Sequence, residues 1–173
     1  TLSDWRKDLL DIIDNIAKGS QILIGSSMGG WLMMLAAKAR PQRIKGMVGL
    51  AAAPDFGKEL YSSLNKKNKN EINTKGITRY SSYGFSYYLT KKFFIEADKN
   101  RVLKNSFRFT KPLVLIHGLK DKVVKEDLPR KILKKVTGKN VNIIYLKESD
   151  HRLSSDTDLK IITQSIEYIR NII

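Results

Sequence analysis

A chain of 173 residues with 42% hydrophobic content and no cysteine can bury one core, and it excludes disulfides and thiolate metal sites. No apolar run has the length of a bilayer span, and no basic-then-apolar signal pattern is present. A formal charge of +15 ordinarily points to nucleic acid or an anionic surface, but here it comes mostly from lysine in a chain rich in asparagine and isoleucine, so no nucleic-acid partner is expected.

Taken in chain order, residues 3–17 place Trp5, Leu9, Ile12, Ile13 and Ile16 at helical spacing, with Ser3 as N-cap and Gly19 past the end. "QILIG" at 21–25 reads as a short buried strand, and 28–40 as an apolar helix closed by Pro41. "IKGMVGLAAAP" at 44–54 is a second strand that ends at Pro54 and Asp55. "KPLVLIHG" at 111–118 is a third strand, "DLPRKILKKVTG" at 127–138 a helix, and "VNIIYL" at 141–146 a fourth strand. The last helix, about 156–172, repeats Leu159, Ile162, Ile166 and Ile169. Apolar strands alternating with helices predict a parallel sheet covered on both faces.

One segment breaks the alternation. Residues 55–110 are polar and rich in lysine and tyrosine, and so long a connection predicts a cap over the C-terminal edge of the sheet. Within it, "NKKNKNEINTK" at 65–75 has no interleaved aromatics and reads as a solvated loop, while the aromatic patches of 80–98 suggest short helices. The expected organisation is core at 1–54, cap insertion at 55–110 and core again at 111–173.

Between the first strand and its helix, Gly25-Ser26-Ser27-Met28-Gly29 matches G-x-S-x-G. In that pattern the middle serine sits on a strained strand-to-helix turn with small neighbours. Ser27 is then the candidate nucleophile and Ser26 a small filler. The Met28 N–H, at a helix N-terminus, is a candidate oxyanion donor. A serine at its own pKa needs a base, and the base needs an orienting acid.

The chain has only two histidines. His151, in "KESDHRLS", follows the fourth strand, and Asp121, in "GLKDKVV", follows the third. Both loops leave the same sheet edge as Ser27, and the order Ser, Asp, His is that of the α/β-hydrolases. His117 at the end of the third strand is the alternative base, and Asp55 after the second strand the alternative acid. Asp150 reads as a turn residue. Trp31, Met33, Met34 and Leu35 read as core.

"TLSDWRKDLLDIID" running into "QILIGSSMGGWLM", with "HGLKDKVV" and "SDHRL" downstream, resembles the abhydrolase-domain palmitoyl-protein thioesterase and acyl-glucuronide esterase family and its bacterial relatives. The likeness covers nearly the whole chain and is loosest across the cap. It implies an α/β-hydrolase fold, with Ser27, Asp121 and His151 as catalytic triad and the Met28 N–H as one oxyanion donor. Thioester or acyl-glucuronide substrates, including acylated protein, are implied by the resemblance alone. No metal or organic cofactor is expected. Tyr83, Phe85 and Tyr87 are candidate contacts for an acyl chain, and Arg152 for an acidic leaving group, with a salt bridge as its structural alternative.

Such hydrolases have strands before the helix at 3–17, and a loop among them donates a second oxyanion N–H. Neither has a counterpart here, so an N-terminally truncated chain is expected. Its first strand would have an open apolar edge. It would lack a donor whose loss typically costs about 10² to 10³ in turnover. Alone, it is expected to be weakly active or poorly soluble. The absence of cysteine is compatible with a reducing compartment, so a cytoplasmic location is expected, and the resemblance implies a mitochondrial one in a eukaryote. The rival reading is a catalytically silent module that binds an acyl ligand or an anionic surface.

Overall fold

The computed structural model describes residues 1–82 and 85–173. In chain order its elements are α1 (Leu2–Asn15), β1 (Gln21–Ser26), α2 (Met28–Ala39), β2 (Ile44–Leu50), α3 (Gly57–Ser63), α4 (Lys66–Lys75), β3 (Ile77–Ser82), β4 (Phe85–Thr90), α5 (Lys91–Lys99), β5 (Leu113–Gly118), α6 (Leu128–Lys135), β6 (Val141–Leu146) and α7 (Asp156–Asn171). The chain divides into two compact units, Arg6–Pro54 with Val102–Ile173, and Thr1–Trp5 with Asp55–Arg101.

The larger unit holds a four-stranded parallel sheet in the order β1-β2-β5-β6. The two central strands carry unbroken apolar runs because both of their faces are covered: every residue of β5 is buried, and five of the seven in β2. One core cluster joins Val48, Ala51, Val114 and Ile116 to Leu153 and to Ile169 of α7. In α2, Trp31, Met33, Met34 and Leu35 are all buried, as their apolar run predicts. The registers align Ser26 with Leu50, Leu50 with Ile116, and Gly118 with Leu146. The C-terminal ends of all four strands therefore lie along one edge. This is the α/β-hydrolase fold.

Two expectations change at the start of the chain. Ser3 is not the cap: α1 opens at Leu2, the Thr1 hydroxyl accepts from the Asp4 N–H at 3.4 Å, and the Ser3 hydroxyl donates instead to Glu96. Nor is β1 fully buried. With β6 it is one of the two edge strands of this sheet among the described residues, and Ile24 is 50% exposed.

The smaller unit corrects the reading of residues 65–98. The lysine- and asparagine-rich run forms α4, because Asn65 caps it by accepting from the Asn68 N–H at 2.8 Å and its one buried residue, Ile72, packs with Leu64 and Leu89. The aromatic stretch is an antiparallel hairpin, β3 with β4, followed by α5. Across the hairpin, the Tyr80 and Tyr87 rings meet edge to face with centroids 5.5 Å apart, a pairing that suits strands. No helix among the described residues is long and apolar enough to cross a membrane.

Candidate active site

The turn from β1 into α2 is built by small residues in close approach. A Cβ on Gly25 would fall 2.4 Å from the Gly29 carbonyl oxygen and 2.7 Å from the Gly30 nitrogen. Both are backbone atoms that cannot yield, so only glycine passes. The residue at the apex, Ser27, has φ 52° and ψ −120°, a conformation that costs an L-residue strain. The neighbouring strand end holds it there. The Ser27 N–H donates to the Leu50 carbonyl at 2.9 Å, and the Ser27 carbonyl accepts from the Ala53 N–H at 2.9 Å. Met28 opens α2, where the N–H groups of the first turn have no intrahelical acceptor.

At the end of β5 the chain turns at Gly118 into the loop that carries Asp121. Asp121 Oδ1 accepts from the backbone N–H groups of Val123 at 2.7 Å and Val124 at 2.9 Å. These two bonds fix the carboxylate from within its own loop, as aspartate does in turns. The other oxygen, Oδ2, lies 2.8 Å from His151 Nδ1, and His151 Nε2 lies 3.1 Å from Ser27 Oγ. The Asp121 side chain is wholly buried, and that of His151 is 23% exposed.

The loop after β6 presents His151 through a separate set of bonds. The Lys120 N–H donates to the Ser149 carbonyl at 3.0 Å, and the Arg152 N–H to Asp150 Oδ1 at 2.9 Å. Asp150 is thus the turn residue that its position predicts. Behind the loop, the Ser149 hydroxyl donates to Asp158 Oδ1, and Asp158 Oδ2 accepts from the Ser155 N–H at 3.0 Å. The Ser155 hydroxyl accepts in return from the Asp158 N–H, completing a capping box at the start of α7. Burial alone would raise the Asp158 pKa, but the hydrogen bonds from Ser149 and Ser155 outweigh it and hold the carboxyl below its ordinary range. Sequence reasoning passed over Asp158 and Ser149. The Ser155-x-x-Asp158 spacing was the signal that marked this helix start.

The structure therefore brings Ser27, His151 and Asp121 into one hydrogen-bonded series and leaves the alternatives outside it. Ser26 is exposed one residue before the apex. Asp55 lies in the smaller unit, its carboxylate 4.0 Å from Arg101. His117 is wholly buried, its Nε2 4.0 Å from Asp121 Oδ2. Arg152 is exposed and has no ion pair among the described residues. Tyr87 is 43% exposed; burial and then the nearby Tyr80 push its hydroxyl pKa upward. Tyr83 and the Phe85 side chain lie outside the described residues. No group of three or more His, Asp or Glu among the described residues is arranged to hold a metal ion.

A serine hydroxyl at a strained turn, an imidazole on it and a buried carboxylate behind the imidazole can generate an alkoxide-like nucleophile at neutral pH. Comparison with known proteins adds the family. The model of the prolyl oligopeptidase family matches residues 14–172. The human mitochondrial palmitoyl-protein thioesterase ABHD10 is 36% identical over 171 residues, 96% of this chain and 56% of that protein. The bovine protein of the same name is 37% identical over the same length. The chain thus spans little more than half the length of these curated relatives. Among solved structures, mouse alpha/beta hydrolase domain-containing protein 10 superposes with a TM-score of 0.89 at 33% identity, over 99% of this chain and 70% of that one. A structure from Agrobacterium vitis S4 superposes with a TM-score of 0.92 at 25% identity, over 98% and 68%.

Proposed function

The chain belongs to the prolyl oligopeptidase family, and from that premise we propose that it is a serine hydrolase cleaving acyl thioesters or carboxylic esters through a covalent acyl-enzyme. The observation that carries the proposal is the series from Ser27 Oγ to His151 Nε2 at 3.1 Å and from His151 Nδ1 to Asp121 Oδ2 at 2.8 Å. Ser27 Oγ attacks the acyl carbonyl as its proton passes to His151 Nε2, and the carbonyl oxygen takes the negative charge. The Met28 N–H at the start of α2 is the donor proposed for that oxyanion. The tetrahedral species then collapses, breaking the bond to sulfur or oxygen, and His151 returns the proton to the departing thiol or alcohol. Water attacks the acyl-serine by the same route, with His151 taking its proton, and the free acid leaves. Asp121 holds the imidazole in the tautomer that leaves Nε2 free to accept, and balances the imidazolium that forms.

The name of the curated relatives, palmitoyl-protein thioesterase, supports a long-chain acyl thioester on a protein as the first substrate to test. An acyl-glucuronide ester is the second. Residues 55–110 are proposed as the segment that sets acyl preference, with Tyr87 as its accessible probe, and Arg152 as the contact for an acidic leaving group.

The deciding experiment treats the intact protein with a fluorophosphonate probe and assays acyl thioesters and esters of graded chain length. Labelling that disappears in Ser27→Ala, together with hydrolysis, supports the proposal. Binding of an acyl ligand or an anionic surface without labelling or turnover would replace it with a silent binding module.

A further inference from the structure

The mechanism above makes no use of His117, one of the chain's two histidines. Its side chain is wholly buried at the end of β5, and neither ring nitrogen meets full hydrogen-bond geometry, although the Val124 backbone lies close enough to act on the ring. Burying a polar ring without a full hydrogen bond costs stability, and an apolar side chain of similar volume would fill the position without that cost. Packing alone therefore does not account for the residue. What singles it out is a neighbour: Nε2 stands 4.0 Å from Asp121 Oδ2, the same oxygen that faces His151.

We propose that His117 is a positioning residue for Asp121, its Nε2–H facing Oδ2 and holding that oxygen in line with the His151 ring. The proposal rests on the reading of Ser27, His151 and Asp121 as the catalytic series. Asp121 Oδ1 is committed to Val123 and Val124, and Oδ2 faces the ring of His151 at 2.8 Å and that of His117 at 4.0 Å. At 4.0 Å the contact with His117 is longer than a hydrogen bond and acts as an N–H dipole aimed at a carboxylate. In a dry interior such a dipole is weakly screened and stabilises the anion. It therefore opposes transfer of the proton from the His151 imidazolium to Asp121, which keeps the pair ionic through the reaction.

The surroundings favour the uncharged ring that this role needs. Burial, the largest influence, pushes the His117 pKa down, and His151 adds to it; Asp121, the Val124 backbone and Glu126 act in the opposite direction without overturning it. From β6, the Tyr145 ring meets His117 edge-on with centroids 6.2 Å apart, and the Tyr145 hydroxyl is engaged by the Glu126 carbonyl at 3.0 Å. The Arg130 guanidinium of α6 lies on Tyr145, 5.7 Å from its ring centroid.

The test uses the intact protein, with His117→Phe to remove the donor and His117→Gln to supply an amide N–H in its place. His117→Phe is expected to lower kcat by about threefold to tenfold with little change in KM, at most the low end of what one hydrogen bond to a charged group contributes. A less stabilised Asp121 carboxylate pairs more strongly with the imidazolium, so the acid limb of the pH–rate profile should move to higher pH. His117→Gln should recover part of both effects. In an Asp121→Asn background the His117→Phe substitution should cost nothing further, because the carboxylate it serves is gone. Nitrogen-15 spectra of the wild type, assigned by single substitution, should show His117 as the neutral Nε2–H tautomer at pH 7. Any of three results overturns the proposal: unchanged kcat and pH profile in His117→Phe, full additivity with Asp121→Asn, or the Nδ1–H tautomer in the wild type. If Ser27→Ala keeps full activity, the reading beneath it fails instead, and the tautomer measurement still stands by itself.

Discussion

Asp121 divides its two oxygens between two tasks: Oδ1 accepts from the Val123 and Val124 backbone, and Oδ2 meets His151 Nδ1 at 2.8 Å. One oxygen shapes the loop, and the other faces the ring. Substitutions can therefore separate loop geometry from imidazole chemistry. Asp121→Asn can keep its amide oxygen on the two N–H groups while turning its NH₂ toward His151. The ring then carries its proton on Nε2 and has no lone pair for Ser27. Ester hydrolysis should fall by about 10³ to 10⁴ with a near-normal melting temperature. Asp121→Ala, which also loses the loop anchors, should melt lower as well.

The two adjacent serines should behave oppositely. Ser27→Ala is expected to abolish fluorophosphonate labelling and reduce kcat by about 10⁴ or more. Ser26→Ala, at an exposed position before the apex, should keep labelling and turnover within about twofold. Mass spectrometry of the labelled peptide distinguishes them.

Gly118 is the close approach between the acid loop and the histidine loop. A Cβ there would lie 2.2 Å from the Ser149 carbonyl oxygen and 2.7 Å from that of Asp150, so the backbone just before His151 must move. Gly118→Ala should cost about 10² in kcat, as displacements near 1 Å do, and lower the melting temperature. A variant with wild-type kinetics would show that the loop yields without moving the ring.

His117 also predicts how stability responds to acid. Its native pKa is depressed below the ordinary 6.5, with burial as the leading cause. The unfolded chain then binds the proton first, so this contribution is full above pH 6.5 and is lost as the pH falls through the lower native value. Melting temperatures measured from pH 7.5 down to 5 should decline more steeply in the wild type than in His117→Phe.

The Asp158 carboxyl lies below its ordinary 3.8 even though burial acts against it, because Ser149 and Ser155 hydrogen-bond to it. Its contribution is present above pH 3.8 and fades as the pH falls through the native value. At neutral pH, Asp158→Asn should destabilise by about 1–2 kcal/mol through the lost cap and the lost Ser149 bond. Chemical denaturation measures the loss. A fall in kcat should accompany it, since Ser149 leads into His151.

The parallel sheet was legible because β2 and β5 are covered on both faces and carry continuous apolar runs with clear ends. The series of Ser27, Asp121 and His151 was legible because each follows a strand end on one edge; Asp55 fits the same chain order, and Asp121 was preferred because it follows the strand just before the one that leads to His151. The smaller unit was less legible. α4 has a single buried residue and owes its boundaries to the Asn65 cap and to Gly76, signals easily lost among lysines and asparagines. In the hairpin, a dense run of tyrosines hid the two-residue alternation that marks a strand. The contact between His117 and Asp121 was out of reach, because adjacency across a turn depends on side-chain direction rather than on spacing.

The backbone of Ser27 is tied at its N–H to Leu50, the last residue of β2, and at its carbonyl to Ala53 just beyond, and β2 contributes no side chain to the hydrogen-bonded series. The site's coordinates are therefore partly recorded in "LAAA", a stretch with no chemistry of its own. For protein engineering, that makes Leu50 to Ala53 an adjustment screw: exchanges there reposition the serine hydroxyl while every reacting group is retained, and libraries confined to polar residues would miss it.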